Sequence, residues 1–318
     1  MCGIAGLIHR GKTSDIGSEM TSMLQSLKHR GPDSTGFALY GRGSGGNDNE
    51  DGGNQHVMRF KVAEQEEMRD IDIRVKMRAR IDDVDARLEK LGVRVLDKAQ
   101  PTEYSLRYAF AYDGDMRALA AQVEAVDSAE ILSIGRALEL IKDMGDAGTV
   151  AADYGIPGFT GTHAIGHTRM ATESDVDIRS AHPYWAYPFN DISVVHNGQL
   201  TNYWTFRREM ERIGHRFVSD CDSELIAVYI AERIQRGDDL EAAMHRSIDE
   251  LDGVFTYLVA TGDQLGMAKD VMAAKPMVLY ESGDFIGLAS EEVAIRSIFP
   301  NEIETWDPYE GEVKVWRA

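Results

Sequence analysis

Four short apolar stretches near the C-terminus, at 255–261, 265–270, 277–282 and 285–290, constrain this chain more than any other feature. Gly262-Asp263 separates the first pair and Ser282-Gly283-Asp284 the last, residue types that favour tight reversals. Strands this short, turning back with no room for crossover helices, pair antiparallel. Their apolar content then requires cover from further layers. Antiparallel sheets packed together and covered by helices are the expected arrangement.

The rest of the pattern agrees with this. Amphipathic helices are predicted over 222–236 and 240–251, the second ended by Gly253. Residues 2–9 read as a short, mostly apolar strand. Ile16, Met20, Met23/Leu24 and Leu27 then recur at helical spacing until Gly31-Pro32, and 34–41 reads as a second strand. Residues 43–53 (GSGGNDNEDGG) have nothing to bury and read as a mobile loop or linker; their glycines lack the strand, helix and basic residue of a phosphate cradle. From 57 to about 157 the chain has a pattern of its own. Strands are predicted at 56–62, 93–98 and 104–112, and helices at 78–91, 116–126 and 131–144. That order describes a small α+β lobe inserted into a larger domain. The lobe carries no catalytic constellation, so docking or structural support is its expected role.

Composition narrows the function. The chain has 318 residues, enough for a substantial core, and a formal net charge of −19. So acidic a surface argues against nucleic acid or an anionic membrane as partner. The two cysteines, Cys2 and Cys221, make neither a disulfide framework nor a four-thiolate iron–sulfur cluster within one chain. No apolar run approaches transmembrane length and no leader peptide is evident, so a cytoplasmic location is expected. The histidines show no metal-ligand spacing, and no metal is expected.

Position makes Cys2 a candidate nucleophile. It follows Met1 and precedes Gly3, so Met1 is expected to be removed. The new terminus would carry a thiol and an α-amine whose ordinary pKa is about 7.7–8.0. That amine can take the thiol proton and later return it to a leaving nitrogen. The alternative is a small buried hydrophobe at a strand start. Arg169 can grip a carboxylate in a bidentate fork or form a surface ion pair. Asp222 can accept from an ammonium or cap the helix that follows. Asn197-Gly198 can supply side-chain and backbone N–H groups to a developing oxyanion, or simply form a β-turn.

Together these segments carry a resemblance. Met-Cys-Gly-Ile-Ala-Gly at 1–6 resembles the start of the class II glutamine amidotransferases, whose glutaminase domains are N-terminal-nucleophile hydrolases. His29-Arg30-Gly31-Pro32-Asp33-Ser34-Thr35-Gly36, Gly166-His167-Thr168-Arg169-Met170-Ala171-Thr172, His196-Asn197-Gly198 and Ser219-Asp220-Cys221-Asp222-Ser223-Glu224 follow in the family's order, and Ala289-Ser290-Glu291-Glu292 also fits. The resemblance implies a four-layer αββα sandwich, an α+β fold, over 2–42 and 158–318, with 43–157 as flexible loop and inserted lobe. It implies glutamine hydrolysis, with Cys2 as nucleophile, Asn197 and Gly198 at the oxyanion, and Arg169, Thr172 and Asp222 on the substrate. Arg30 would brace the site. Met170 and Glu173 depart from residues common in the family, in the stretch expected to cover glutamine. His182 before Pro183 has a family counterpart, to which a structural role is assigned.

The nitrogen acceptor is harder to read. Neither a nucleotide loop nor a phosphoribosyl site is evident, so synthase chemistry, with any flavin or iron–sulfur cluster, is expected on partner subunits of a hetero-oligomer. No cofactor is expected on this chain. The chain is most similar to the stand-alone amidotransferase subunit of N-methylglutamate synthase and related split glutamate synthases. A non-catalytic glutamine-sensing or scaffold subunit is the rival reading, and a complete set of Cys2, Arg169, Asn197 and Asp222 disfavours it.

Overall fold

The computed structural model describes residues 2–41, 54–170, 177–189, 191–299 and 301–318. The glycine-rich stretch 43–53 and Thr172 lie outside these. In chain order the first part contains β1 (Gly3–His9), β2 (Ser14–Asp15), α1 (Ile16–Ser26) and β3 (Ser34–Gly41). Next come β4 (Gln55–Lys61), α2 (Ile73–Lys90), β5 (Arg94–Ala99), β6 (Ser105–Ala111), α3 (Met116–Glu124) and β7 (Glu130–Gly135). Then follow β8 (Leu138–Met144), α4 (Ala147–Tyr154), β9 (Thr160–Arg169), β10 (Tyr184–Trp185), β11 (Ser193–Leu200), α5 (Tyr203–Arg212), α6 (Asp222–Gln235) and α7 (Leu240–Glu250). The chain closes with β12 (Gly253–Ala260), β13 (Gln264–Lys269), β14 (Val278–Ser282), β15 (Phe285–Ala289), α8 (Glu292–Arg296) and β16 (Val313–Arg317).

These elements make an α+β fold with three antiparallel sheets. One has the order β14-β15-β1-β9-β3-β8, with β2 paired to β9; the second runs β10-β11-β12-β13-β16. The first two sheets pack face to face. The periodicity of β1 shows why its sequence is apolar at almost every position. Ile4 and Ile8 point into the inter-sheet core with Leu258, Leu265 and Met267, whereas Ala5 and Leu7 join Met20 and Leu24 of α1 on the outer face. A strand buried on both faces has no polar alternation to show. α1, α4 and α8 cover the first sheet, and α6 and α7, with α5 packed on α6, cover the second. The result is a four-layer αββα arrangement.

The third sheet, β5-β6-β4-β7, is built by residues 55–135, and α2 and α3 complete this lobe. The helix expected over 131–144 does not form. That stretch is two strands: β7 closes the lobe sheet, and β8 pairs with β3 in the first sheet. Ile131, Leu132, Ile134, Leu138, Leu140 and Ile141 are all buried, and apolar residues this closely spaced fit a helix as well as two strands. The reversal between them is pinned from afar. Asp191 Oδ1 accepts hydrogen bonds from the amides of Arg136, Ala137 and Leu138 at 2.8, 2.9 and 2.8 Å. The helices α4 and α5 were not anticipated. Among the described residues no helix is long and apolar enough to cross a membrane.

Candidate active site

Cys2 precedes the central strand of the first sheet. Gly3 pairs with Thr168, so Cys2 sits beside the end of β9, where the Met170 amide donates to its Sγ at 3.4 Å. Two side chains converge on the Cys2 carbonyl: Asn197 Nδ2 at 2.9 Å and Arg30 Nε at 3.1 Å. Arg30 is held in turn by Glu291, which also lies 3.0 Å from His29 Nε2. Burial pushes the Glu291 carboxyl up, but Arg30 and His29 outweigh it and leave it below its ordinary value. Ser290 completes the bracket, exchanging hydrogen bonds of 2.9 Å with the Ile4 backbone through both Oγ and its own N–H.

Asn197 and Gly198 are not in a turn. They lie inside β11, opposite Thr256 and Phe255 of β12. Gly198 has φ +151, and a Cβ there would run into the Val254 carbonyl oxygen and the His196 ring. Glycine is therefore required at this point. The Asn197 side-chain amide has a second N–H beyond the one directed at Cys2 O.

Arg169 is the last residue of β9, buried, with its carbonyl accepting from Asp33 N at 3.0 Å. Asp222 is the first residue of α6. The capping position is Cys221, and Asp222 makes no capping bond. Its Oδ2 instead accepts from Leu200 N at 2.8 Å, and Oδ1 is 3.6 Å from His196 Nδ1. Burial raises the Asp222 pKa, but His196 and the Leu200 amide outweigh it, so the group is held below its ordinary value and stays a carboxylate. β11 thus carries Asn197 toward Cys2 and, through Leu200 and His196, meets Asp222.

Behind these residues lies a buried histidine network, in which His182 has the structural role expected of it and whose linkage through Ser223 the sequence did not show. The rings of His167 and His182 stack at 4.1 Å. Ser223 Oγ is 2.7 Å from His182 Nε2 and 2.8 Å from His196 Nδ1. One hydroxyl can donate to one ring and accept from the other, fixing both orientations. Burial lowers His167 to about 3 and His182 well below its ordinary value, so both are neutral. Glu224 closes the family-like segment Ser219–Glu224 but was given no role from sequence. It accepts from Val218 N and Ser219 N at 2.8 Å each, ordering the turn before Asp222. A Glu three positions after the helix cap was the available signal. Among the described residues no group of His, Cys, Asp or Glu is arranged to hold a metal ion.

Comparison with known proteins settles the family. A profile described as a glutamine amidotransferase domain matches residues 167–297, from the His167 network through Asn197 and Asp222 to Glu291. A Methanothermobacter thermautotrophicus protein, provisionally named as a glutamine amidotransferase, is 37% identical over 99% of both chains. The chain belongs to the class II glutamine amidotransferases. This amidotransferase is also 32% identical to the glutamine amidotransferase-like protein GlxB of Rhizobium meliloti, over 99% of its own length and 98% of that protein's. Its fold is that of the Bacillus subtilis glutamine phosphoribosylpyrophosphate amidotransferase, with a TM-score of 0.58 at 16% identity; 99% of the amidotransferase is matched, and it spans 47% of that longer chain.

Proposed function

We propose that this amidotransferase hydrolyses L-glutamine through a thioester on Cys2 and serves as the nitrogen-supplying subunit of an N-methylglutamate synthase-like enzyme. The observation that carries the reading is the convergence on Cys2: the Met170 amide at its sulfur and Asn197 at its carbonyl. In the reaction, the α-amine freed by loss of Met1 takes the thiol proton and Sγ bonds to the δ-carbon of glutamine. Asn197 and Gly198 N–H groups hold the oxyanion. The C–N bond breaks, the amine returns its proton to the leaving nitrogen, and ammonia departs. Water then adds to the γ-glutamyl thioester, giving glutamate and restoring the thiol. Arg169 and Asp222, with Thr172, hold the α-carboxylate and α-ammonium.

The subunit role is supported by resemblance and by relatives of matching length that are themselves named for glutamine amidotransfer. Purifying the native assembly and assaying glutamate plus methylamine against glutamine plus 2-oxoglutarate separates this role from that of a split glutamate synthase. Turnover only in the second assay would overturn it. For the chemistry, Asn197→Ala is expected to lower kcat about 10²–10³-fold, the loss typical of one oxyanion donor. Arg169→Ala should mainly raise KM for glutamine. A rise in KM with kcat unchanged in Asn197→Ala would refute the oxyanion role.

A further inference from the structure

The segment 177–183 links the site to the inserted lobe. At its inner end, His182 touches Ser223, the neighbour of Asp222, and stacks on His167, two residues before Arg169. At its outer end, Arg179 Nη2 lies 3.0 Å from Glu64 Oε1 and 3.1 Å from Glu130 Oε2, both in the lobe chain. Lys61 of β4 contacts the same two carboxylates, at 2.6 and 3.2 Å. Between the ends, Lys142 Nζ donates to the Ala181 carbonyl at 2.8 Å and the Arg179 carbonyl at 3.5 Å.

Glu130, Lys142, Tyr184 and Glu224 share a cavity of about 20 Å³ where the lobe meets the sandwich, room for about one water molecule. Segment 177–183 is thus gripped by two lobe carboxylates through a side chain and by one buried ammonium through its backbone. None of these groups contacts Cys2, so they cannot take part in bond breaking.

We propose that Arg179 is a positioning residue for glutamine: clamped by Glu64 and Glu130 of the lobe, it fixes residues 177–183 so that His182 braces Ser223 beside Asp222, and the seating of the lobe thereby sets affinity for the substrate. This rests on the reading that Arg169 and Asp222 bind glutamine. Guanidinium suits the role because one planar group satisfies both carboxylates at once. It also explains a lobe that lacks chemistry of its own yet sends its charged groups toward the segment that carries His182.

The test is calorimetric binding of L-glutamine to the full chain carrying Cys2→Ala, which prevents turnover. Arg179→Gln should weaken binding at least about fivefold, the lower end of coupling between linked sites. Arg179→Lys should recover most of the loss. Arg80→Gln is the control. Arg80 braces the lobe internally through Glu67 and the Val62 carbonyl, without touching 177–183. It should lower the melting temperature and leave glutamine affinity within about twofold. Unchanged affinity in Arg179→Gln, with binding lost in Arg169→Ala, would overturn the proposal and leave the functional reading intact. An Arg80→Gln loss as large as that of Arg179→Gln would also overturn it, because the effect would then belong to lobe stability. Absence of glutamine binding in the Cys2→Ala parent, or full binding in Arg169→Ala, would overturn the functional reading itself and this proposal with it.

Discussion

The two large interfaces of the molecule are built on opposite principles. Between the two sheets of the sandwich, Ile4, Ile8 and Ile165 on one side meet Val195, Leu258 and Met267 on the other, and the polar groups among them are uncharged, Tyr40 bonding Ser193 and His163 the Thr261 carbonyl. Between the sandwich and the lobe, buried charges face each other. Glu139 on β8 receives Arg59 and Arg107 from β4 and β6, at 2.6 and 2.7 Å. Nearby, burial pushes the Glu130 carboxyl up, and Lys61, Lys142 and Arg179 together leave it below its ordinary value. Apolar burial supplies stability without direction. Buried ion pairs add little net stability, because desolvation offsets their attraction, but they are satisfied in only one geometry. The sandwich is therefore made to hold together, and the lobe is made to sit in one orientation.

Acid should separate the two interfaces most clearly. Burial lowers His163 to about 4, His167 to about 3 and His182 well below its ordinary value, all within the sandwich. Each is neutral when folded but takes a proton near pH 6.5 when unfolded. The unfolded state thus binds more protons below pH 6.5, so stability present above that pH is lost as pH falls toward the folded values. Three such groups remove about 4 kcal/mol per pH unit between pH 6 and 4.5. Glu130 and Glu139, both held below the ordinary value, stay ionised over most of that window. Denaturant unfolding at stepped pH measures the slope. A flat profile down to pH 5 would show that the histidines are charged in the folded protein.

Next in size is Glu139→Ala, expected to cost about 3–5 kcal/mol because Arg59 and Arg107 are left buried without a counter-charge. Replacing all three with apolar residues of similar volume should recover most of that loss. If the triple variant remains as unstable as the single one, orientation is not what the charges supply. In the apolar interface, Leu258→Ala should cost about 2–5 kcal/mol with no such rescue by partner changes, since the loss is a cavity against Gly6. The smallest effect belongs to Glu64→Gln. Glu64 and Arg179 are both partly exposed, so the change should cost about 0–1 kcal/mol of stability. The melting temperature should hardly move, and a drop as large as that of Glu139→Ala would place Glu64 in the buried network.

Much was legible in the one-dimensional chain because the signals are local. Helical spacing marked α1, turn residues marked β12 through β15, position marked Cys2, and the family resemblance picked out Arg169, Asn197 and Asp222. What stayed hidden depended on long-range contact. Whether 131–144 was one helix or two strands turned on neighbours far away in the chain, β4 and β3 pairing with its halves and Asp191 pinning the reversal. Asp222 looked like a helix cap because Asp favours caps; in the folded protein Leu200 takes its carboxylate. Lys142 carries no sequence mark, and Glu291 and Ser223 stood in family-like segments without a role, since a carboxylate, hydroxyl or amine acquires its role only from what is buried beside it. By itself the sequence determined most of the strands and helices toward either end, β1, α1 and β3 at one and α6, α7 and β12 through β15 at the other. Tertiary structure alone decided that Asn197 reaches Cys2 across 195 positions and that the lobe grips segment 177–183 through Arg179. The physical reason is that hydrogen bonds and ion pairs act over a few ångströms, and only the strand register brings such distant residues that close.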